Sequence, residues 1–174
     1  MKKKSFFRNI VINNQCLICI LVLVQLSGCY SFTGGSIPEH LKTLNIAPIN
    51  DNSGFGDPRI RETLTQLLVN KFRSDHSYNL VDRNSDARLN VVISSIRDTI
   101  MTVSPGQVEA ERKATVQCDV EYFDAVKKLM IFKKGFSAFG VYPSASATTD
   151  RIIAINKALE QVSDDILLAV VSGW

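Results

Sequence analysis

The sequence predicts an α+β fold, a two-layer sandwich in which a β-α-β unit is followed by an antiparallel meander and a long C-terminal helix. Three observations predict it. A helix with one apolar face lies between two short strand patterns, apolar and polar residues alternate from Ala87 onward, and a second apolar stripe fills the last part of the chain. We expect both helices to pack on one mixed sheet of four to five strands.

The β-α-β unit begins with a strand predicted at residues 43–47, where apolar and polar side chains alternate before Pro48. A turn-rich loop, residues 50–56, follows the strand. Asp57 then suits the cap of a helix, and Pro58 suits its first position, where a missing amide proton costs nothing.

The helix is predicted to end near Asp75, and a second strand follows at residues 78–81. A right-handed crossover would make the two strands parallel. The apolar face of the helix contains Ile60, Leu64, Leu67, Leu68 and Phe72.

Three longer strands form the predicted meander. The first runs from Ala87 towards Met101, and a turn at residues 104–106 follows it. The second covers residues 115–123 and the third covers residues 129–141. Short connections make antiparallel pairing with one wetted face the expected arrangement. The inward side chains would be Ala87, Leu89, Val91, Ile93, Val116, Cys118, Val120 and Tyr122.

The C-terminal helix is predicted over residues 150–172, a length of about 35 Å. Thr149 or Asp150 can cap its start. Its apolar stripe steps by three and four residues through Ile152, Ile155, Leu159, Val162, Ile166 and Ala169.

The start of the chain has the order of parts of a bacterial lipoprotein signal. Four basic residues precede a mostly apolar stretch, residues 10–26, and Leu26-Ser27-Gly28-Cys29 looks like a lipobox. The uninterrupted apolar run, residues 16–24, is shorter than the ~20 residues that span a bilayer, which argues against a transmembrane anchor. We therefore expect a cleaved signal peptide at 1–28, a lipidated Cys29 with a flexible tether at 29–41, and one domain at 42–174.

Removal of the leader changes the charge and cysteine inventory. Four of the 20 Lys and Arg lie in residues 1–28, which leaves 16 basic against 17 acidic residues and a net charge of −1. The strongly basic surface typical of nucleic-acid binding is therefore not expected. Cys16 and Cys19 leave with the signal peptide, and Cys118 is predicted to be a buried strand residue.

The residue inventory offers little for catalysis. His40 and His76 belong to no recognisable metal or nucleophile motif. Four carboxylates could pair, but alternating acidic residues are common on the solvent-exposed face of a strand: Glu109, Glu111, Asp119 and Glu121. We expect no enzyme activity, no catalytic residues, no metal site and no cofactor.

The whole mature sequence resembles the lipopolysaccharide-assembly lipoproteins of the LptE family. The resemblance is most specific in the segment from Cys29 to Pro38 and in the strand 42–48 that follows. The rest, up to the helix that closes on Ser172-Gly173-Trp174, matches in pattern rather than in identity. The Gly that family members usually carry between the lipidated Cys and Tyr is absent here. The resemblance implies an outer-membrane lipoprotein that plugs a large, LptD-like β-barrel, assists its assembly and binds lipopolysaccharide. Tyr30 also favours the outer membrane, because no inner-membrane retention aspartate follows Cys29.

Basic residues near the sheet are the candidates for binding the anionic glycolipid. Arginine can bind a phosphate through two parallel hydrogen bonds, and lysine acts as a point charge. The candidates come in three pairs: Arg112 with Lys113, Lys127 with Lys128, and Lys133 with Lys134.

The sequence is also compatible with two other functions. The first strand, the loop, the helix and residues 78–83 also look similar to the periplasmic domain of curli-secretion-type lipoproteins, which assemble their own pores. Such a pore needs amphipathic strands of ~9 to 11 residues, and Lys133 and Lys134 break the required alternation. The second alternative is an envelope scaffold lipoprotein that serves a different barrel.

Overall fold

A computed structural model of the chain describes residues 37–102 and 111–172. The predicted signal peptide, Cys29, the turn predicted at 104–106 and the last two residues lie outside this range. In chain order the elements are β1 (Thr43–Ile46), β2 (Asn50–Asp51), α1 (Pro58–Asp75), β3 (Asn79–Leu80), β4 (Ala87–Thr102), β5 (Glu111–Asp124), β6 (Leu129–Pro143), a 3-10 turn (Ser144–Ser146) and α2 (Ala147–Val171).

The strands form one mixed sheet in the order β3-β1-β4-β5-β6, and β2 pairs with β4 further along the same side. β1 is parallel to β3 and to β4, whereas β4, β5 and β6 are antiparallel. The α+β class, the parallel β-α-β unit and the meander are confirmed. β2 is an addition to the expected strands, because Asn50 and Asp51 pair with Val92 and Ile93 although the loop composition indicated only turns.

Both helices cover one face of the sheet, and the core lies between the two layers. The expected inward residues of β4 and β5 are all buried, from Ala87 to Tyr122. α2 packs on β5, on β6 and on α1. The opposite face of the sheet, which we call the open face, carries no helix within the described residues.

α1 starts and packs as the sequence predicts. The Asp57 side chain accepts a hydrogen bond of 3.0 Å from the Arg59 amide, and Pro58 occupies the first position. The helix ends before His76, which adopts the left-handed conformation with φ of 60°. Its buried side chains are Ile60, Leu64, Leu68 and Phe72, whereas Leu67 is partly buried.

α2 begins three residues earlier than predicted. The expectation that Thr149 or Asp150 caps the helix is wrong, because the 3-10 turn after β6 continues directly into the helix at Ala147 and leaves both residues inside the first turn. The centre of the predicted stripe is buried, and Ile152 and Ala169 at its ends are partly buried. The fully buried members are Ile155, Leu159, Val162 and Ile166.

Residues 37–41, at the end of the segment assigned to the tether, contact the domain. Leu41 is only 2% exposed, and Ile37 packs against the core. His40 Nε2 lies 2.6 Å from Asp124 Oδ2. The stretches of apolar residues in α1 and α2 are too short for either helix to cross a bilayer.

Candidate functional site

The register of the sheet defines two ends. At one end, Ala87 of β4 pairs with Leu44 of β1 and with Asp124 of β5. Asp124 also pairs with Leu129 of β6. We call this the entry end, because the chain enters the domain there through His40. At the other end, the far end, Glu111 of β5 pairs with Thr102 and with Pro143.

Four polar side chains meet on the helix side of the far end, and we call them the far-end cluster: Asp98, Arg112, Tyr142 and Arg151. Arg112 and Tyr142 are direct register partners on β5 and β6. The Tyr142 hydroxyl donates to Asp98 Oδ1 at 2.8 Å, and Arg151 Nη2 donates to the other oxygen of the same carboxylate.

A β-bulge brings Asp98 to this cluster. The pairing of β4 with β5 shifts between Ile93 and Ser95, so that both Ile93 and Ile96 point inward. Asp98, two residues beyond Ile96, therefore lies on the same face as Arg112. Without the bulge, strict alternation would place it on the open face.

The far-end cluster has a net positive charge, because it contains two guanidinium groups and one carboxylate. The Nε atoms of Arg112 and Arg151 are buried and have no hydrogen-bond partner among the described residues. Burial raises the pKa of Tyr142, and its hydrogen bond to Asp98 acts in the same direction. The four side chains and Ala147 line a cavity of about 320 Å³. A tetrahedral anion would match the unused donors.

Lys113, the neighbour of Arg112, points to the open face. Its ammonium lies 4.5 Å from the ring centroid of Phe139, which is 51% exposed. The predicted pair is therefore divided between the two faces of the sheet, as alternation along a strand requires.

The other predicted candidates lie elsewhere. Lys127 and Lys128 are exposed in the turn at the entry end. Lys133 pairs with Glu121 at 2.7 Å, and Lys134 lies 5.4 Å from the ring centroid of Phe136. The six basic residues do not form one site, and only Arg112 belongs to the far-end cluster.

Sequence reasoning missed Asp98, Tyr142 and Arg151. A signal existed for Arg112 itself, which continues the inward series Cys118, Val116 and Ala114 towards the start of β5. The same rule would have separated it from Lys113.

The described residues contain no group of three or more His, Cys, Asp and Glu side chains that could hold a metal ion. His40 is engaged with Asp124, and His76 Nδ1 lies 2.7 Å from the Ser74 carbonyl oxygen. Burial raises the pKa of the Cys118 thiol to about 12, so that this side chain is a poor nucleophile at neutral pH.

Comparison with protein-family models shows which family the chain belongs to. The LptE family model, described as lipopolysaccharide-assembly, matches residues 41–170. This range includes the whole described sheet, α1 and nearly all of α2. The chain belongs to the LptE family. As a member of LptE it has a lipoprotein role in lipopolysaccharide assembly, and the far-end cluster lies within the matched domain.

Solved structures are similar to this LptE-family chain in fold. A hypothetical protein from Chlamydia trachomatis matches with a TM-score of 0.55 and 8% identity over 75% of this chain and 98% of that one. A protein from Xanthomonas campestris matches with a TM-score of 0.51 and 17% identity over 76% and 85%. Rare lipoprotein B from Shewanella oneidensis has a TM-score of 0.46 and 17% identity over 71% and 90%. A search of curated proteins finds no match.

Proposed function

We propose that this LptE-family protein is an outer-membrane lipoprotein, acylated at Cys29, that plugs the lipopolysaccharide-transport β-barrel and assists its assembly. Its partners are an LptD-like barrel and lipopolysaccharide, and it acts without catalysis or a cofactor. The observation that carries the proposal is the family match over residues 41–170, which include the whole sheet, α1 and nearly all of α2.

The open face of the meander supports the contact with a barrel lumen. Its central side chains are polar and exposed, including Gln117, Asp119 and Ser137. The ion pair of Glu121 and Lys133 lies on the same face. A lumen that conducts a polar molecule is itself polar, and it is matched by side chains that form hydrogen bonds.

The far-end cluster supports the contact with lipopolysaccharide. Arg112 and Arg151 retain unused guanidinium donors in a cavity with net positive charge. A phosphate group would accept from both side chains. Lys113, on the other face, would contribute only long-range attraction.

Photocrosslinking at two positions tests whether the barrel encloses the protein. A crosslinker at Ser137 samples the open face, and one at Glu62 samples the exposed side of α1. A protein enclosed by the barrel is expected to crosslink to it from both positions. Crosslinks from one position alone would identify a scaffold beside the barrel, and crosslinks from neither would refute the barrel as partner.

A further inference from the structure

The β5–β6 turn at the entry end exposes apolar and basic side chains together. Val126 is 57% exposed, Leu129 58% and Met130 44%. Lys127 and Lys128 lie between them and are also exposed. Large apolar side chains interleaved with lysines are typical of segments that insert into the interface of a membrane.

The backbone of this turn is held firmly. The Asp124 carboxylate accepts a hydrogen bond of 2.8 Å from the Lys127 amide through Oδ1 and contacts His40 through Oδ2. Ala125 donates from its amide to the Asp86 carbonyl at 2.8 Å. Lys128 takes the left-handed conformation with φ of 56°. The apolar and basic side chains are therefore presented by a rigid turn.

Two further cations lie next to the turn. Arg83 and Arg88 line a cavity of about 450 Å³ together with Phe123 and Ala125. Neither arginine side chain forms an ion pair or a hydrogen bond with another described residue. The nearby acids are Asp82, which lines the same cavity, Asp86 and Asp124. The turn and the cavity together carry four cationic side chains against these three carboxylates, so the positive charge of this end is only partly compensated.

The chain enters the domain beside this turn, so acylation of Cys29 would keep the turn within reach of a membrane. His40 contacts Asp124, the residue with which the turn begins. Eight peptide links join Cys29 to Ile37, the first described residue, and they span at most about 28 Å. If acyl chains hold Cys29 in a leaflet, Ile37 lies no more than about 28 Å from that leaflet, a distance that lets the entry end reach the headgroups.

We propose that the entry end binds the anionic headgroup surface of the leaflet that holds Cys29, with Val126, Leu129 and Met130 inserted and Lys127, Lys128, Arg83 and Arg88 near the lipid phosphates. The inference rests on the proposed acylation of Cys29. Its consequence is an oriented domain. Arg112 lies twelve residues from Asp124 along β5, so at ~3.4 Å per residue the far-end cluster lies about 40 Å along the strand from the entry end.

Accessibility of a fluorophore tests the contact. The acylated protein carries Val126→Cys labelled with nitrobenzoxadiazole, a dye that aqueous dithionite bleaches, and is reconstituted into phosphatidylcholine vesicles with phosphatidylglycerol. Cys118 is buried and does not compete for the label. Glu62→Cys, on the exposed side of α1, is the matched control, and Leu129→Cys is a second reporter in the turn. Mass spectrometry first verifies the acyl chains, so that failed acylation is distinguished from failed docking.

The expected result is slower bleaching at positions 126 and 129 than at position 62. Each lysine near an anionic surface favours association by roughly fivefold, so Lys127→Gln with Lys128→Gln should reduce the docked population by up to about 30-fold and restore fast bleaching. Equal rates at positions 126 and 62 in the acylated protein would overturn the inference. Protection that persists in pure phosphatidylcholine and in the lysine double variant would also overturn it, because it would indicate a protein neighbour.

Discussion

Gly140 of β6 lies directly against the backbone of Ala154 in α2. A Cβ atom added at Gly140 would meet the Ala154 carbonyl oxygen at 2.1 Å. The neighbour is backbone in the middle of a helix, so it cannot move aside as a flexible side chain would. The absence of a side chain at residue 140 thus allows the close packing of α2 on the edge strand.

Gly140→Ala is expected to lower the free energy of unfolding by at least about 2 kcal/mol, because the added methyl group forces α2 away from β6. Gly135→Ala is the matched control on the same strand, since its Cβ would lie at an ordinary 3.6 Å from Asp119 Oδ1. Urea unfolding of both variants measures the difference. Equal stability of the two would contradict the packing described.

The apolar stripe of α2 predicts a contrast between two leucines. Leu159 is fully buried, whereas Leu168 is 58% exposed. Leu159→Ala should cost about 2 to 5 kcal/mol of stability through lost burial and the cavity left behind. Leu168→Ala should change it by less than about 0.5 kcal/mol. Thermal unfolding by circular dichroism distinguishes the two, and similar costs would disprove the orientation of the helix.

The Asp86 carboxylate makes the stability of the domain depend on pH. Hydrogen bonds from the Thr43 hydroxyl and from the amides of Thr43 and Lys42 hold the pKa of Asp86 below its ordinary value. The folded state therefore binds this proton less readily than the unfolded chain. The stabilisation is complete above the ordinary pKa of about 3.9 and is lost as the pH falls through the lowered pKa.

Asp86→Asn should accordingly lower the melting temperature at pH 7, and this deficit should shrink as the pH falls below about 3.9. Asp82→Asn is the matched control, because the Asp82 carboxylate accepts no hydrogen bond from another described residue. Melting curves recorded from pH 7 down to pH 3 provide the measurement. A deficit of Asp86→Asn that stays constant over this range would argue against the linkage.

The Cys118 thiol should resist alkylation in the folded protein. It is buried, and burial raises its pKa to about 12, so that the reactive thiolate is scarce at pH 8. Iodoacetamide should modify it only after addition of urea. Mass spectrometry follows the reaction, and rapid modification of the native protein would show that this part of the core opens readily.

The proposed phosphate site predicts an asymmetry between the faces of the sheet. Removing both guanidinium groups with Arg112→Gln and Arg151→Gln should weaken lipopolysaccharide binding at least tenfold, since a hydrogen bond to a charged group contributes about 1.5 to 3 kcal/mol. Lys113→Gln should have a smaller effect, and Lys157→Gln, on the exposed side of α2, should have none. Calorimetric titration compares the four proteins. An unchanged affinity of the double arginine variant would reject the far-end cluster as the site.

Much of the fold could be predicted because periodicity and burial agree. The alternation around Val116 and Val120 identified the buried face of β5, and the stripe through Leu64 and Leu68 identified that of α1. β2 could not be predicted, because a two-residue strand is too short to show a period and is defined only by its pairing with Val92 and Ile93.

The candidate site was harder to predict because it depends on register. Arg112 and Tyr142 become neighbours through the pairing of β5 with β6, and Asp98 joins them only because a bulge reverses the alternation of β4. Arg151 of α2 joins them through its contact with the Asp98 carboxylate. Sequence adjacency, which suggested Arg112 with Lys113, was a poor guide because neighbouring strand residues face opposite sides.

Purification of the native protein from detergent-solubilised outer membranes, followed by mass spectrometry of what is retained, tests the central claim most directly. We expect a polypeptide that begins at an acylated Cys29 and is recovered with a large lipopolysaccharide-transport barrel. A chain with an uncleaved amino terminus, or an acylated chain recovered without such a barrel, would contradict it.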